Sequence, residues 1–99
     1  MATIVNKDNF DSVIFSDKPT LVDFYADWCG PCKMVSPVVD ALAEEQSVYK
    51  ICKVNVDDEA ELASAFGVMS IPMLAVIRDG NVISKSVGAK SKVRILEML

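Results

Sequence analysis

The segment Thr20-Leu21-Val22-Asp23-Phe24-Tyr25-Ala26 is nearly apolar on both faces of an extended chain. A strand of that kind sits in the interior of a sheet covered on both sides, the usual setting of parallel strands. The remaining pattern must therefore supply neighbouring strands and covering helices. Ile4-Val5 is a short first strand, and Asp8 to Phe15 places Phe10, Val13 and Ile14 on one helical face, with Asn6 or Asp8 as its cap. Ser16-Asp17-Lys18-Pro19 breaks the chain before the central strand.

Beyond that strand, Val35, Val38, Val39 and Leu42 recur at i, i+3, i+4 and i+7, an amphipathic helix reaching about Gln46. Pro37 lies inside it, where a proline removes a hydrogen bond and kinks the axis. Tyr49 to Val56 reads as a strand, and Glu59 to Phe66 as a short helix with Leu62, Ala63 and Phe66 inward and Gly67 as its stop. Met73 to Ile77 and Val82 to Val87 flank Arg78-Asp79-Gly80-Asn81, an Asp-Gly hairpin. Ser91 caps a last helix in which Val93, Leu96 and Leu99 share a face. The order β-α-β-α-β-α-β-β-α predicts parallel pairing of the helix-separated strands, with the hairpin adding an antiparallel edge. The fold class is α/β: a mixed sheet of about five strands flanked by about four helices, in one domain over residues 1–99.

Immediately after the central strand comes Trp28-Cys29-Gly30-Pro31-Cys32-Lys33. Structural zinc takes four ligands, and cysteine-bound iron–sulfur clusters generally need four thiolates. This chain has three cysteines and no histidine, so both fail. Covalent haem attachment needs a His directly after the second Cys, where Lys33 stands. Thiol–disulfide exchange needs only two cysteines one helical turn apart. Pro31 suits a first helical turn, which leaves Cys29 at the helix N-terminus, where unpaired N–H groups and the helix dipole favour a thiolate. Cys32, one turn in, is more covered. On this reading Cys29 attacks and Cys32 resolves.

The run Val22-Asp23-Phe24-Tyr25-Ala26-Asp27-Trp28-Cys29-Gly30-Pro31-Cys32-Lys33 resembles the active-site region of the thioredoxin family. The likeness extends to the β-α-β order, Pro37, Lys53-Val54-Asn55-Val56-Asp57, Ile71-Pro72, Asp79-Gly80 and Val87-Gly88-Ala89. It implies the thioredoxin fold and a dithiol carrier that reduces disulfides in client proteins. Cys29 would form the mixed disulfide, and Cys32 would release the client and leave a Cys29–Cys32 disulfide. Thioredoxin reductase would regenerate the dithiol, and the domain itself would hold no cofactor, in keeping with the lack of a Gly-x-Gly-x-x-Gly fingerprint. In similar folds Gly-Pro between the cysteines accompanies reductants, whereas a His there stabilises the thiolate and makes the disulfide more oxidising.

Asp23 shares a face with Leu21 and Tyr25, and a carboxylate there lies either on a solvated edge or buried with a raised pKa. The resemblance implies the buried acid, a proton acceptor for Cys32 acting through water, with Lys53 helping to set its charge. Pro72 reads alone as an ordinary loop proline; the resemblance implies a cis Ile71–Pro72 bond facing the cysteines, with Ile71 offering backbone groups to an extended client segment. Trp28, Gly30, Pro31, Ile71, Pro72, Gly88 and Ala89 would then form a small apolar rim for client docking. Met73 departs from the Thr common after this proline in the family. Cys52, on a face with Val54 and Val56, reads as a buried residue of inert chemistry, and Met34 and Met69 as side chains near the motif.

The net charge of −4 and the scattered basic residues argue against nucleic-acid or membrane-surface binding. The N-terminal residues do not read as a signal peptide, no apolar run approaches the length of a membrane span, and three cysteines make no structural disulfide framework. A reducing cytoplasm is therefore expected, with nothing in the sequence pointing beyond a monomer. The final helix stops at Leu99, about a turn earlier than the family usually runs. Two other functions compete with the reductase: a thiol oxidase or isomerase on the same fold, disfavoured by Gly-Pro, and a thioredoxin-like binding subunit whose cysteines are incidental.

Overall fold

The computed structural model describes residues 2–15, 18–45 and 48–99. Nine elements follow one another: β1 (Thr3–Ile4), α1 (Phe10–Ile14), β2 (Thr20–Tyr25), α2 (Gly30–Glu45), β3 (Lys50–Asn55), α3 (Ala60–Ala65), β4 (Met73–Arg78), β5 (Asn81–Val87) and α4 (Lys92–Met98). The strands form one sheet in the order β1-β3-β2-β4-β5, which puts the apolar β2 at its centre. Part of the break expected at residues 16–19, and the helix end expected near Gln46, lie outside the described residues.

β1 and β2 both run parallel to β3, as expected of strands separated by helices. β4 does not follow that rule: it pairs antiparallel with β2, with Met73 opposite Phe24. α3 and its flanking loops stay at the end of the sheet beside the cysteine motif, where Val56, Ala63 and Val68 to Ile71 line a recess against Trp28, so the chain re-enters the sheet at the end it left. β5 then turns back on β4 through Asp79 and Gly80, both at positive φ (52° and 79°), as a two-residue primed turn requires.

Period-2 alternation divides the sheet into two cores. Val22, Phe24, Cys52, Val54, Ala75 and Ile77 pack on one side with Val13 and Ile14 of α1. Leu21, Ile51, Leu74 and Val76 pack on the other with Val35, Val39 and Leu42 of α2 and Ile95 of α4. Two local expectations are corrected. Asn9 holds the cap position of α1 without a side-chain cap bond, while Asn6 Oδ1 accepts from the N–H groups of Asp8 and Asn9 just ahead of the helix. In α4, Ser91 Oγ caps the N–H of Arg94, but Val93 is exposed and Ile95 is the residue fully buried. Leu96, Met98 and Leu99 flank Ile95 at the same core. The helix is thus rotated from the expected face, with Ile95 rather than Val93 turned to the core.

Candidate active site

β2 delivers the chain directly into the cysteine motif, and the first turn of α2 begins inside it. The Cys29 carbonyl accepts from the N–H of Lys33, which makes Cys29 the cap residue of α2 with Gly30 and Pro31 as the first two helical positions. Pro31 loses nothing there, since its missing N–H would have had no intrahelical partner. The N–H of Cys32 donates to Cys29 Sγ at 3.2 Å, so the sulfur occupies the acceptor position that a cap hydroxyl or carboxylate normally fills. Cys29 and Cys32 are joined as a disulfide with their Cα atoms 5.2 Å apart. Both residues are buried, at 4% and 2% exposure, so their place on the helix rather than their cover distinguishes them. Ala26, Tyr25, Val56 and Ile71 close around the pair.

Two recesses flank this disulfide. A groove of about 380 Å³ runs along Trp28, Val56, Ala63, Val68, Met69, Ser70 and Ile71. Its wall includes Trp28, which is exposed and fixed by donation from Nε1 to Asp57 Oδ2 at 2.8 Å. Of the expected rim, Trp28 and Ile71 line the groove, whereas Gly30, Pro31, Gly88 and Ala89 do not. Pro72 is buried, follows a cis peptide bond, and accepts the Gly88 N–H on its carbonyl. The φ of 97° at Gly88 favours glycine at that contact. Met69, expected near the motif, lines the groove, while Val56, Ala63, Val68 and Ser70 were not legible as a surface, because they come together only where α3 and its following loop meet the end of β3. A smaller cleft of about 120 Å³ opens on the other side, lined by Tyr25, Ala26, Asp27, Cys32, Lys33 and Ser36.

Beneath this region Asp23 is completely buried, which removes the solvated-edge alternative. It projects with Leu21 toward the α2 side of the sheet, directly opposite Lys53 on β3 and Leu74 on β4. Neither carboxylate oxygen has a hydrogen-bond partner among the described residues. Burial pushes its pKa up to about 6, the Lys53 ammonium opposes that rise, and the Asp40 carboxylate adds to it. Lys53 is itself buried and bonds elsewhere: Nζ donates to Ser36 Oγ and lies 3.4 Å from Asp40 Oδ2. The same ammonium sits 5.5 Å from the centre of the Tyr25 ring. Ser36 and Asp40 are site neighbours that the linear reading missed. Their signal was present, since Cys32, Ser36 and Asp40 recur every four residues and so share a helix face.

Cys52 lies on the opposite face of β3 in the apolar core, and burial raises its thiol pKa to about 11. Among the described residues no cluster of three metal-ligating side chains occurs, and no helix is long and apolar enough to cross a membrane.

The family model described as Thioredoxin matches residues 1–99. The chain is 46% identical over 97 residues to a thioredoxin of Haemophilus influenzae, covering 96% of this chain and 91% of that one. It is 44% identical to a thioredoxin of Bacillus subtilis over 100 residues, covering 100% and 96%. Among solved structures, a mutant thioredoxin from Halobacterium salinarum superposes with a TM-score of 0.90 at 38% identity, covering 97% of this chain and 85% of that one.

Proposed function

The chain belongs to the thioredoxin family and is a dithiol–disulfide oxidoreductase, and from that premise we propose that Cys29 is its attacking sulfur and Cys32 its resolving one. The observation that carries the assignment is the cap geometry: Cys29 Sγ accepts the N–H of Cys32 at the start of α2. A thiolate at that point meets N–H groups and the positive end of the helix dipole.

Reduction of a client then runs in two displacements. The Cys29 thiolate attacks one sulfur of the client disulfide, forming a mixed disulfide and expelling the first client thiolate. Cys32 loses its proton and attacks Cys29 Sγ, which expels the second client thiolate and leaves the Cys29–Cys32 disulfide seen here. The client gains two electrons and, at its two sulfurs, two protons. Asp23 accepts the Cys32 proton, by way of water in the adjoining cleft. A carboxyl with a pKa near 6 is well matched to that task at neutral pH. Lys53 tempers the cost of ionising it.

Clients are proteins carrying disulfides. They dock in the apolar groove beside Trp28 and Ile71, with Gly30, Pro31, Pro72, Gly88 and Ala89 bordering the approach. A segment bound there gains burial of apolar area without a deep pocket to hold it, which suits brief and varied encounters. A flavoprotein reductase returns two electrons to the disulfide for the next cycle, and residues 1–99 act as one domain.

The test is a trap. Cys32→Ser can attack but cannot resolve, so it accumulates a covalent adduct with a disulfide-bearing client that is released by added dithiol. Cys29→Ser forms none. Adducts through Cys32 in the Cys29→Ser variant would reverse the assignment.

A further inference from the structure

Lys53 and Asp23 face each other on adjacent strands, yet the ammonium is drawn to α2. Neighbouring strands lie about 4.8 Å apart, so the four-carbon stem of Lys53 is long enough to bring its charge against the Asp23 carboxylate. A close pair there would hold Asp23 ionised and make it a poor carrier of protons near neutral pH. What prevents that pairing is visible: Ser36 Oγ accepts from Nζ, and Asp40 Oδ2 makes the ion pair. Asp40 is itself anchored, since its other oxygen accepts the backbone N–H of Ala2 at 3.3 Å.

We propose that Ser36 and Asp40 are positioning residues that tether the Lys53 ammonium to α2 and so keep the buried Asp23 free to take up and release a proton. The polar stripe Cys32-Ser36-Asp40 on α2 thereby links the resolving cysteine to the residues that govern its proton acceptor. Among the described residues, the charged and titratable groups acting on Asp23 are Lys53 of β3, Asp40 of α2 and the Tyr25 hydroxyl of β2, while β4 presents Leu74 and α4 packs on that side through Ile95, Leu96, Met98 and Leu99. Releasing the tether acts on Asp23 mainly by letting Lys53 approach it. This inference rests on the reading of Asp23 as the acceptor of the Cys32 proton, and the experiment separates the two.

The titration midpoint of Asp23 is followed by carboxyl carbon NMR in the oxidised protein. Asp40→Asn retains an oxygen for the Ala2 N–H while removing the charge, and lowers the midpoint by about one unit. Ser36→Ala lowers it less. In a Lys53→Met background, Asp40→Asn moves the midpoint by less than half as much. A midpoint that stays in place in either single variant strikes that residue from the tether, and an equal shift with Lys53→Met overturns the tether itself. The pH profile of mixed-disulfide resolution supplies the second readout. If the midpoint falls while the profile stays, the tether stands and Asp23 is not the acceptor. If the midpoint stays while Asp23→Asn flattens the profile, the acceptor stands and the tether is wrong.

Discussion

Asp23 and Lys53 are register partners across β2 and β3, but the lysine's bonds go to Ser36 and Asp40 and leave both Asp23 oxygens unpaired among the described residues. An acid and a base placed side by side would ordinarily satisfy one another. Here the pair is held apart beneath a disulfide, and the acid is pushed toward neutrality by burial. Such an arrangement is costly to the fold when Asp23 is ionised, and that cost is measurable.

Asp23→Asn is expected to stabilise the oxidised protein at pH 8 and to have almost no effect near pH 4. The folded-state pKa is raised from 3.8 to about 6, so the stability associated with neutral Asp23 is complete below pH 3.8 and is lost between about pH 4 and 6 as the pH rises. A difference of two units corresponds to about 3 kcal/mol. Denaturant melts of both proteins at the two pH values check this, and equal gains at pH 4 and pH 8 would contradict it.

Asp57→Ala is expected to weaken client docking with little effect on the chemical step. The carboxylate accepts from Trp28 Nε1 at 2.8 Å on the wall of the groove, and its loss frees the indole to leave the docking position. A hydrogen bond to a charged acceptor at an exposed site is worth about 1 kcal/mol here, so KM for a disulfide-bearing protein should rise about fivefold. The kinetic split checks it: a fall in kcat at unchanged KM would place Asp57 in the chemistry instead.

Cys52 is expected to resist labelling. It is buried at the centre of β3 with a thiol pKa near 11, so little thiolate forms at pH 8 and none is accessible. An alkylating reagent should add nothing to the native oxidised protein and one group after unfolding. Rapid modification of the native form would show that this core opens locally.

The central strand, the helix-opening cysteine pair and the hairpin were all legible because each depends on residues adjacent in sequence. Val22 and Phe24 alternate with Leu21 and Asp23 by the period of a strand, and Asp79-Gly80 carries its own turn chemistry. The reversed direction of β4 was not legible, since helix separation alone implies parallel pairing, and the return of α3 and its flanking loops to the end of the sheet that β3 left is a relation in three dimensions. The turn of α4 onto Ile95 was likewise not legible, since the residue that joins Leu21, Leu74 and Val76 in the core is set by tertiary packing.

The site divides in the same way. Cys29 and Cys32 announced themselves through spacing, and Trp28 and Ile71 through the motifs around them. The partners of Lys53 did not, because Ser36 and Asp40 meet it only after α2 packs across β3. Asp57 became the partner of Trp28 for a similar reason, from the turn after β3, whereas Met69 was expected near the motif and lies on the groove.

The most direct measurement is the reduction potential of the Cys29–Cys32 couple, read by equilibrating the protein with dithiol buffers of known potential. Thioredoxin itself provides the reference of about −270 mV, a value for the family rather than one inferred from this geometry. Gly30-Pro31 places no cation beside Cys29 to stabilise its thiolate, so the couple should lie near that reference. A potential tens of millivolts higher, at about 1.4 kcal/mol for each 30 mV, would contradict the reductase account and mark the protein as an oxidant of thiols.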